Sequence, residues 1–373
     1  MVKVVRASTK KEYKQFENAG EIVLKDDPYF VPPFPGSLVK LLSPKGPLAK
    51  HGGVACFVAY RDGKVVGRVA AMENDSYNKY HGEEAGFFGF FDFINDVEVA
   101  RALLHAARDY FAAKGIKIMR GPYNTSYECG LLVEGFESSP MVMMVYNPPY
   151  YVDMYGKLGL IPARNLYAFY ISGAQEAPAR ILKIVERVKR NTGITCRPIN
   201  MKNLDPDLRA IQEIYNGTLN RNWGFVPMTF EDIKAVAADL VEVADPELIM
   251  IAEKDGKAIG FSLVIPNINE FMWRARGSGT FVRILKFVWW LKTSRPKEAR
   301  LAVLGVLPEY QNKGLGALFY AETLLKGGRK YLGGELSWVE ENNKEIIAGI
   351  TVMGAQKYKS YRIYESATAG ATH

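Results

Sequence analysis

Cysteine and histidine are scarce in this chain of 373 residues, which contains three cysteines and four histidines. Cys56, Cys129 and Cys196 lie far apart in sequence, so they fit neither a disulfide framework nor a zinc knuckle. The histidines have no H-x-x-x-H or H-E-x-x-H spacing, so we expect no metal site. Few, scattered cysteines are typical of a reducing compartment, and we expect a cytoplasmic protein.

Long hydrophobic runs are also missing. Residues 1–12 do not contain the apolar core of a signal peptide. The most apolar run, 281–291, is too short to span a bilayer and is interrupted by Arg283 and Lys286. We therefore expect neither secretion nor a transmembrane segment.

The overall composition is typical of a folded protein with a hydrophobic core. Apolar residues make up 48% of the chain and charged residues 24%. The length predicts two domains, or three, at about 150 residues each. The net charge of +8 attracts anions such as phosphates, nucleic acid or anionic lipid, without choosing among them.

Two segments of the same form indicate an internal duplication. They are VAYRDGKVVGRVAA at 58–71 and MIAEKDGKAIGFSLV at 250–264. Asp-Gly between apolar runs is a hairpin signal, so each segment is predicted to be a β-hairpin. Chance similarity is the alternative, because such hairpins are common. The order of strands and helices predicts an α/β (α+β) fold.

Other local patterns predict single elements. We expect a short helix at 10–16, an irregular proline-rich loop at 28–49 and a strand at 141–146. The amphipathic pattern at 179–192 predicts a helix. The domain prediction is 1–172, a connecting segment 173–192 that contains this helix, and 193–373.

A long insertion at 267–297 combines tryptophans with basic residues. It has three interpretations, which are a lid over an acceptor site, a membrane-surface helix and a nucleic-acid-binding patch. Its apolar residues recur at helical spacing, which favours a helix packed on the domain, with a lid as the next interpretation. These apolar residues are Phe281, Ile284, Leu285, Val288 and Leu291.

The clearest functional signal is the motif VLPEYQNKGLGALF at 306–319. An apolar strand ends at Pro308, a polar turn follows, and Gly314 and Gly316 open an amphipathic helix. Glycines leave room for a ligand, the first amides of a helix lack intrahelical partners, and the helix dipole adds positive potential. Lys313 adds a full charge. The motif predicts a pyrophosphate site, and the alternative is that the glycines only allow close packing.

This motif resembles motif A of the GNAT superfamily of N-acetyltransferases, whose Q/R-x-x-G-x-G/A loop binds the pyrophosphate of acyl-CoA. The resemblance implies two tandem GNAT-like domains, each a mixed twisted sheet flanked by helices. The first would be a degenerate copy, since it has no phosphate loop. Implied cofactor-binding residues are Gln311, Asn312, Lys313, Gly314, Leu315 and Gly316 in the loop, and Leu304, Gly305 and Val306 in a splayed strand beside the pantetheine arm.

The family's usual catalytic tyrosine is not at its expected position. Many GNAT enzymes have a tyrosine four residues before a glycine to protonate the leaving thiolate, and Ile350 stands there before Gly354. The first half has Tyr155 at the matching place. We expect Tyr358 or Tyr361 to be the acid, unless the thiolate leaves unprotonated.

The resemblance gives expectations for the remaining catalytic residues. Asn343 matches the family's asparagine after the next strand. The strand at 300–307 carries no carboxylate, so we expect Glu341 or Glu340 to be the general base, acting through a water. Ordinary surface charge is the alternative for both glutamates.

These observations predict an acyl-CoA-dependent N-acyltransferase with acetyl as the expected acyl group. A neutral amine would attack the thioester directly, with no metal and no stable nucleic-acid partner. One alternative is a FemX-like peptidyltransferase that uses aminoacyl-tRNA. Another is a non-catalytic module that binds acyl-CoA or nucleic acid.

Overall fold

The computed structural model describes residues 1–125, 128–311 and 313–368, and it divides into two compact units. Unit 1 consists of Met1–Leu166, Phe271–Trp289 and Lys359–His373. Unit 2 consists of Tyr167–Glu270 and Trp290–Tyr358. The domain ranges predicted from the sequence are contiguous, whereas unit 1 also takes in two later segments.

Strands and helices are interspersed along the described chain. The strands are β1 (Val2–Arg6), β2 (Val54–Arg61), β3 (Lys64–Glu73), β4 (Ala85–Phe93), β5 (Ile118–Gly121), β6 (Tyr123–Thr125), β7 (Glu128–Cys129), β8 (Leu131–Glu134), β9 (Ile161–Ser172), β10 (Thr195–Pro198), β11 (Ile249–Lys254), β12 (Lys257–Pro266), β13 (Glu298–Val306), β14 (Gly333–Glu340) and β15 (Gln356–Ala367).

The helices are α1 (Lys10–Leu24), α2 (Ser37–Leu42), α3 (Asp75–His81), α4 (Val97–Ala113), α5 (Tyr150–Lys157), α6 (Ala179–Thr192), α7 (Leu204–Thr218), α8 (Phe230–Leu240), α9 (Asn269–Arg274), α10 (Thr280–Thr293), α11 (Leu315–Gly327) and α12 (Lys344–Val352). No helix in the described ranges combines the length and the apolar character needed to cross a membrane.

Unit 1 is built on a mixed sheet in the order β1-β2-β3-β4-β5-β15, in which β4 and β5 are parallel. Its core is aromatic where β4 meets α5. Tyr155 is fully buried next to Phe88 and Phe91. Burial holds the pKa of Tyr155 well above its ordinary value. This residue, which matches the family's catalytic tyrosine by position, is therefore part of the core of unit 1.

Both predicted hairpins are confirmed. β2 and β3 pair antiparallel, as do β11 and β12. In the first turn Asp62 and Gly63 have φ values of 51° and 74°, and in the second Asp255 and Gly256 have 51° and 76°. Positive φ at both central residues matches the twist of the flanking strands, which is why Asp-Gly is favoured there.

The predicted helix at 10–16 is too short, because α1 continues to Leu24. A capping box between Thr9 and Glu12 starts the helix. The helix continues through Gly20. The absence of a side chain at Gly20 makes room for the side chain of Arg68, which packs against the helix. A Cβ at position 20 would lie 2.3 Å from Nη2 of Arg68. That guanidinium donates to the carbonyl oxygens of Phe16 and Glu17 on the same helix, each at 3.0 Å.

Two further local predictions are wrong. The stretch 28–49 is not wholly irregular, because its proline-free centre forms α2 after Gly36, which has φ 85°. The stretch 141–146 is not a strand. Met143 has φ 58°, a left-handed conformation that breaks an extended run.

Asp96 caps α4 and also pairs with Arg61. Its carboxylate accepts from the amides of Glu98 and Val99, and Nη1 of Arg61 lies 2.6 Å away. The bond from Arg61 holds the pKa of Asp96 below its ordinary value.

Replacing Asp96 with alanine is expected to lower the free energy of unfolding by about 1–2 kcal/mol at neutral pH. Because the folded-state pKa is lowered, this stabilisation is present above the ordinary carboxyl pKa and is lost as the pH falls through the lowered value. Urea unfolding at neutral and acidic pH measures it. Asp96→Asn, which keeps the cap, should lose less. A difference between wild type and Asp96→Ala that does not change with pH would contradict the expectation.

In unit 2 the strand order is β9-β14-β13-β12-β11-β10, in which β13 and β14 are parallel and the neighbours from β13 to β10 are antiparallel. The predicted helix at 179–192 is confirmed as α6, with the same bounds. It packs on α11 in a core formed by Ile181, Val185, Val188, Leu315, Leu318 and Phe319. Mixed sheets flanked by helices confirm the predicted fold class.

Candidate functional site

The strands β13 and β14 separate part-way along their length. They pair in parallel from Glu298 with Gly333 to Leu301 with Leu336, and no ladder pair of the described residues joins them beyond that point. β13 nevertheless continues to Val306 and β14 to Glu340. An edge of β13 is therefore left without a strand partner, and such an edge can pair with an extended ligand.

A β-bulge explains why the strands separate there. The register of β13 against β12 shifts between the pairs Leu263 with Val303 and Val264 with Leu301, so Ala302 is an extra residue on β13. A bulge bends its strand and increases the twist. The predicted pantetheine-lining residues, Leu304, Gly305 and Val306, lie on the bent part of β13.

The loop after β13 ends in an open helix N-terminus. The side-chain Nε2 of Gln311 donates to the carbonyl of Val306 at 3.1 Å, which ties the loop to the strand. Gly314 is the N-cap residue of α11, and no described side chain caps that helix. The first amides of α11 are therefore available to an anion. Asn312, predicted to join them, lies outside the described residues.

The two loop glycines serve different purposes. Gly314 has φ 83°, and a Cβ there would lie 2.9 Å from Cγ2 of Val188, so both the conformation and the space favour glycine. At Gly316 an added Cβ would meet only Cε2 of Tyr320, at 4.0 Å. The space beside the first turn of α11 is thus open at Gly316.

Two lysines flank this loop. Nζ of Lys313 lies 5.0 Å from the ring centroid of Tyr310, and Nζ of Lys254 lies 5.9 Å from the same ring. Lys313 was predicted from its position in the motif. Lys254 was missed because it belongs to the β11–β12 hairpin and reaches the loop only through the fold.

The predicted catalytic residues occupy different environments. Asn343 caps α12, its Oδ1 accepting from the amide of Ile346 at 3.3 Å. Glu341 follows β14 and is half-buried. The other candidate base, Glu340, accepts from the backbone amide of Trp223 at 2.7 Å. Tyr358 donates its hydroxyl hydrogen to Oε2 of Glu335.

Glu335 belongs to a buried polar cluster that the sequence analysis missed. Arg300 and Glu335 are register partners on β13 and β14, and they are only 3% and 1% exposed. Nε of Arg300 lies 3.6 Å from Glu335 and donates to Oγ of Ser337 at 2.7 Å. Ser337 in turn donates to Glu335. The cluster fixes the two strands together just before they separate.

The same strands line an apolar cavity through Leu301 and Leu336, and Glu335 also borders it. Alternation along a strand points Leu301 and Leu336 away from Arg300 and Glu335. The cavity has a volume of about 70 Å³ and reaches beneath α11. Its lining includes Leu301, Leu336, Leu248, Val264, Tyr320 and Leu324, together with glycines 173, 327, 328, 333 and 334.

Tyr320 links the loop to the cavity. Its ring lies beside Gly316 on the first turn of α11, and it also lines the cavity. Burial raises the pKa of Tyr320 to about 12, so its hydroxyl stays protonated at neutral pH. Among the described residues, no group of three or more His, Cys, Asp or Glu side chains is arranged to hold a metal ion.

Two proteins resemble this chain over nearly its whole length. "Protein YghO" of Escherichia coli (strain K12) is 32% identical over 365 residues, which cover 95% of this chain and 93% of that protein. "Bacterial ceramide synthase" of Caulobacter vibrioides (strain NA1000 / CB15N) is 31% identical over 376 residues, covering 98% and 97%. The chain belongs to the family of these two proteins. No family model matches it.

A solved structure identifies the fold. The tandem GNAT protein from the clavulanic acid biosynthesis pathway, without AcCoA, matches with a TM-score of 0.61 at 14% identity, over 100% of both chains. This chain has the tandem GNAT fold. The predicted resemblance to the GNAT fold is confirmed. The roles of individual residues stay predictions.

Proposed function

We propose that this tandem GNAT protein transfers the acyl group of an acyl-CoA to the amine of a long-chain amino alcohol. The observation that carries the proposal is the arrangement of three features in unit 2. An uncapped helix N-terminus follows β13, an unpartnered edge runs along β13, and an apolar cavity begins where β13 and β14 separate.

The loop fits the pyrophosphate of CoA, and the strand edge fits its pantetheine arm. The amides at Gly314, Leu315 and Gly316 would hold the pyrophosphate, with Lys313 and Lys254 adding positive charge. The pantetheine arm contains amide groups, which would pair with the free edge of β13 at residues 304–306 as an added strand does. The thioester would then lie near the point where the strands separate.

The cavity supports an acyl group longer than the acetyl expected from the sequence. A cavity needs about 10–15 Å³ to hold one water, whose share of liquid volume is about 30 Å³. The volume of about 70 Å³ therefore accommodates several methylenes. Its lining is mostly apolar, which suits an acyl chain and disfavours a polar substituent.

The acceptor is inferred from a relative's name. One relative is called a ceramide synthase. A ceramide is the amide of a fatty acid with a long-chain amino alcohol, so its synthesis requires attack by that amine on an activated acyl group. Since acyl-CoA is made in the cytoplasm, we also propose that the reaction occurs there.

The chemistry is direct transfer. The amine nitrogen attacks the thioester carbonyl carbon, the C–N bond forms, the C–S bond breaks and CoA leaves as the thiolate. We assign the proton of the attacking amine to Glu341, through a water. Asn343 would fix the position of Glu341 by capping the helix that follows it.

Tyr358 has a different proposed role from the acid expected from the sequence. Its hydroxyl hydrogen is donated to Glu335, which is buried beside Arg300. We therefore propose that Tyr358 is a positioning residue. The thiolate then leaves unprotonated and takes its proton from water.

The activity is tested by incubating the full chain with octanoyl-CoA and a long-chain 2-amino alcohol. We expect free thiol to appear only when the amino alcohol is present, in an amount equal to the amide detected by mass spectrometry. Thiol release that is independent of the amine, or none with chains from acetyl to palmitoyl, would contradict the proposed transfer.

Substitution of Gly327 tests where the acyl chain lies. Gly327 lines the cavity, and a Cβ there would be 3.9 Å from the Leu248 side chain, so leucine at this position would extend into the cavity. Wild type should gain about fourfold in affinity per methylene until the cavity is full. Gly327→Leu should lose this gain while binding free CoA as wild type does.

Leu325→Phe is the matched control, because Leu325 lies on the same helix and is 50% exposed. Calorimetric titration of free CoA, acetyl-CoA and octanoyl-CoA separates the contribution of the acyl chain to the affinity from that of CoA itself. An unchanged preference for octanoyl-CoA in Gly327→Leu would place the acyl chain elsewhere.

A further inference from the structure

The helix α10 (Thr280–Thr293) has an exposed apolar face. Phe281, Leu285 and Trp289 are 72%, 53% and 60% exposed, and Val282 and Val288 are 46% and 42% exposed. Successive positions are one or three residues apart, so they form a single stripe along the helix. An apolar stripe turned to solvent is unusual for a surface helix and indicates an interaction surface.

The other side of α10 is firmly attached to unit 1. Arg283 is buried and its guanidinium contacts the carboxylate of Glu21 at 2.6 and 2.9 Å. The ring of Phe287 packs edge-on against Phe34 and Phe271, with centroids 5.3 and 6.4 Å apart. The exposed stripe is therefore presented by an anchored helix.

This arrangement corrects the expectation from the sequence. The favoured interpretation was a helix packed on the domain through its apolar positions. α10 does pack, but Arg283 occupies the buried side, while Phe281, Leu285 and Val288 face solvent. The expected apolar contact is largely replaced by an ion pair and one phenylalanine.

The surrounding segment carries charge of one sign. Residues 271–297 contain seven basic residues and no acidic residue. One of them, Arg283, pairs with Glu21. The basic residues are Arg274, Arg276, Arg283, Lys286, Lys292, Arg295 and Lys297.

We propose that α10 is an interfacial helix that docks the protein on the surface of an anionic phospholipid bilayer. Phenylalanine, tryptophan, leucine and valine on one face would insert at the boundary between headgroups and acyl chains, and the six exposed basic side chains, all but Arg283, would contact anionic headgroups. This goes beyond the proposed transfer reaction and does not depend on it.

Charge and chemistry favour a bilayer over other partners. A second copy would bring two strongly basic segments together, which costs free energy through like-charge repulsion. Single-stranded nucleic acid binds through bases stacked on aromatic rings, and the aliphatic side chains of Val282, Leu285 and Val288 offer no such surface. A bilayer accommodates aliphatic and aromatic groups alike.

Co-sedimentation of the full chain with vesicles tests the proposal. Vesicles of phosphatidylcholine with 30% phosphatidylglycerol are compared with pure phosphatidylcholine. We expect wild type to bind the anionic vesicles, more weakly at high salt, and to bind the neutral ones poorly. Leu285→Glu should weaken binding about tenfold or more, since it places a charge in the apolar face.

Leu182→Glu is the matched control, because Leu182 is also an exposed leucine on a helix, 39% exposed on α6, far from α10 in the sequence. It should bind vesicles as wild type does. Titration with free CoA checks that both variants are folded, and it keeps this test separate from that of the acyl-CoA site.

Several results would overturn the docking proposal. One is wild type staying in the supernatant with both kinds of vesicle. Another is equal binding by Leu285→Glu and wild type, or equal loss in Leu285→Glu and Leu182→Glu. A dimer that Leu285→Glu dissociates, or an oligonucleotide complex that it disrupts, with no vesicle binding, would assign the stripe to a different partner.

Discussion

Gly316→Glu is expected to abolish acyl-CoA binding while leaving the protein folded. The site has room for the new side chain, since an added Cβ would meet only the edge of Tyr320 at 4.0 Å. A carboxylate in the first turn of α11 is also favourable for the helix itself, because it faces the positive end of the dipole. The same carboxylate would stand where the pyrophosphate is proposed to bind.

The size of this effect follows from electrostatics. Two like charges about 4 Å apart at the protein surface repel by about 4 kcal/mol, which corresponds to a loss in affinity of roughly a thousandfold. Titration calorimetry measures the affinity, and thermal unfolding checks the fold. We expect no measurable binding of acyl-CoA and a melting temperature close to that of wild type.

Two neutral substitutions separate charge from bulk. Gly316→Gln has nearly the same size without the charge and should lose much less affinity. Gly316→Ala should bind close to wild type, because the space is open there. If Gly316→Glu bound acyl-CoA normally, the N-terminus of α11 would not be the phosphate site.

Arg300→Met is expected to lower the free energy of unfolding of unit 2 by about 3–5 kcal/mol. The substitution removes the cationic partner of Glu335, whose side chain is fully buried. Burying a carboxylate costs free energy because the charge loses its hydration, and the ion pair with Arg300 offsets that cost. Without the partner the cost is not offset, so the folded state is strongly destabilised. Urea unfolding measures the change.

The paired variant and a surface pair are the controls. Arg300→Met with Glu335→Met removes both charges and should recover much of the lost stability, as replacement of a buried pair by apolar groups often does. The exposed pair Asp153 and Lys157 should contribute less than about 1 kcal/mol when Lys157 is replaced by alanine. Equal losses from Arg300→Met and Lys157→Ala would mean that the buried cluster does not hold β13 and β14 together.

Features encoded locally were predictable from the sequence. Asp-Gly turns gave both hairpins, because the required backbone conformation depends on those two residues. The helix α6 was predicted with both bounds, since its apolar spacing is regular and Gly193 follows its end with φ 67°. The motif at 306–319 likewise contains its strand, turn and helix in one continuous stretch.

Features that depend on the pairing of distant segments could not be predicted. The contact between Arg300 and Glu335 requires the register of β13 against β14, which no local pattern specifies. The cavity is lined by residues from several strands and from α11. The buried carboxylate beside β13 is Glu335 on β14, which is bound to Arg300, Ser337 and Tyr358.

The orientation of α10 shows why periodicity alone is insufficient. Its apolar residues recur at helical spacing, but the pattern does not say which side meets the protein. Glu21 on α1 decides it, because the carboxylate draws Arg283 to the buried side. That partner is far away in the sequence.

The central claim is that each chain binds one acyl-CoA, in unit 2. Calorimetric titration of octanoyl-CoA into the wild-type full chain tests it most directly. We expect saturable binding with a stoichiometry of one, tighter than the binding of free CoA. No binding would contradict the proposed site, and a stoichiometry of two would show that the half without a phosphate loop also binds the donor.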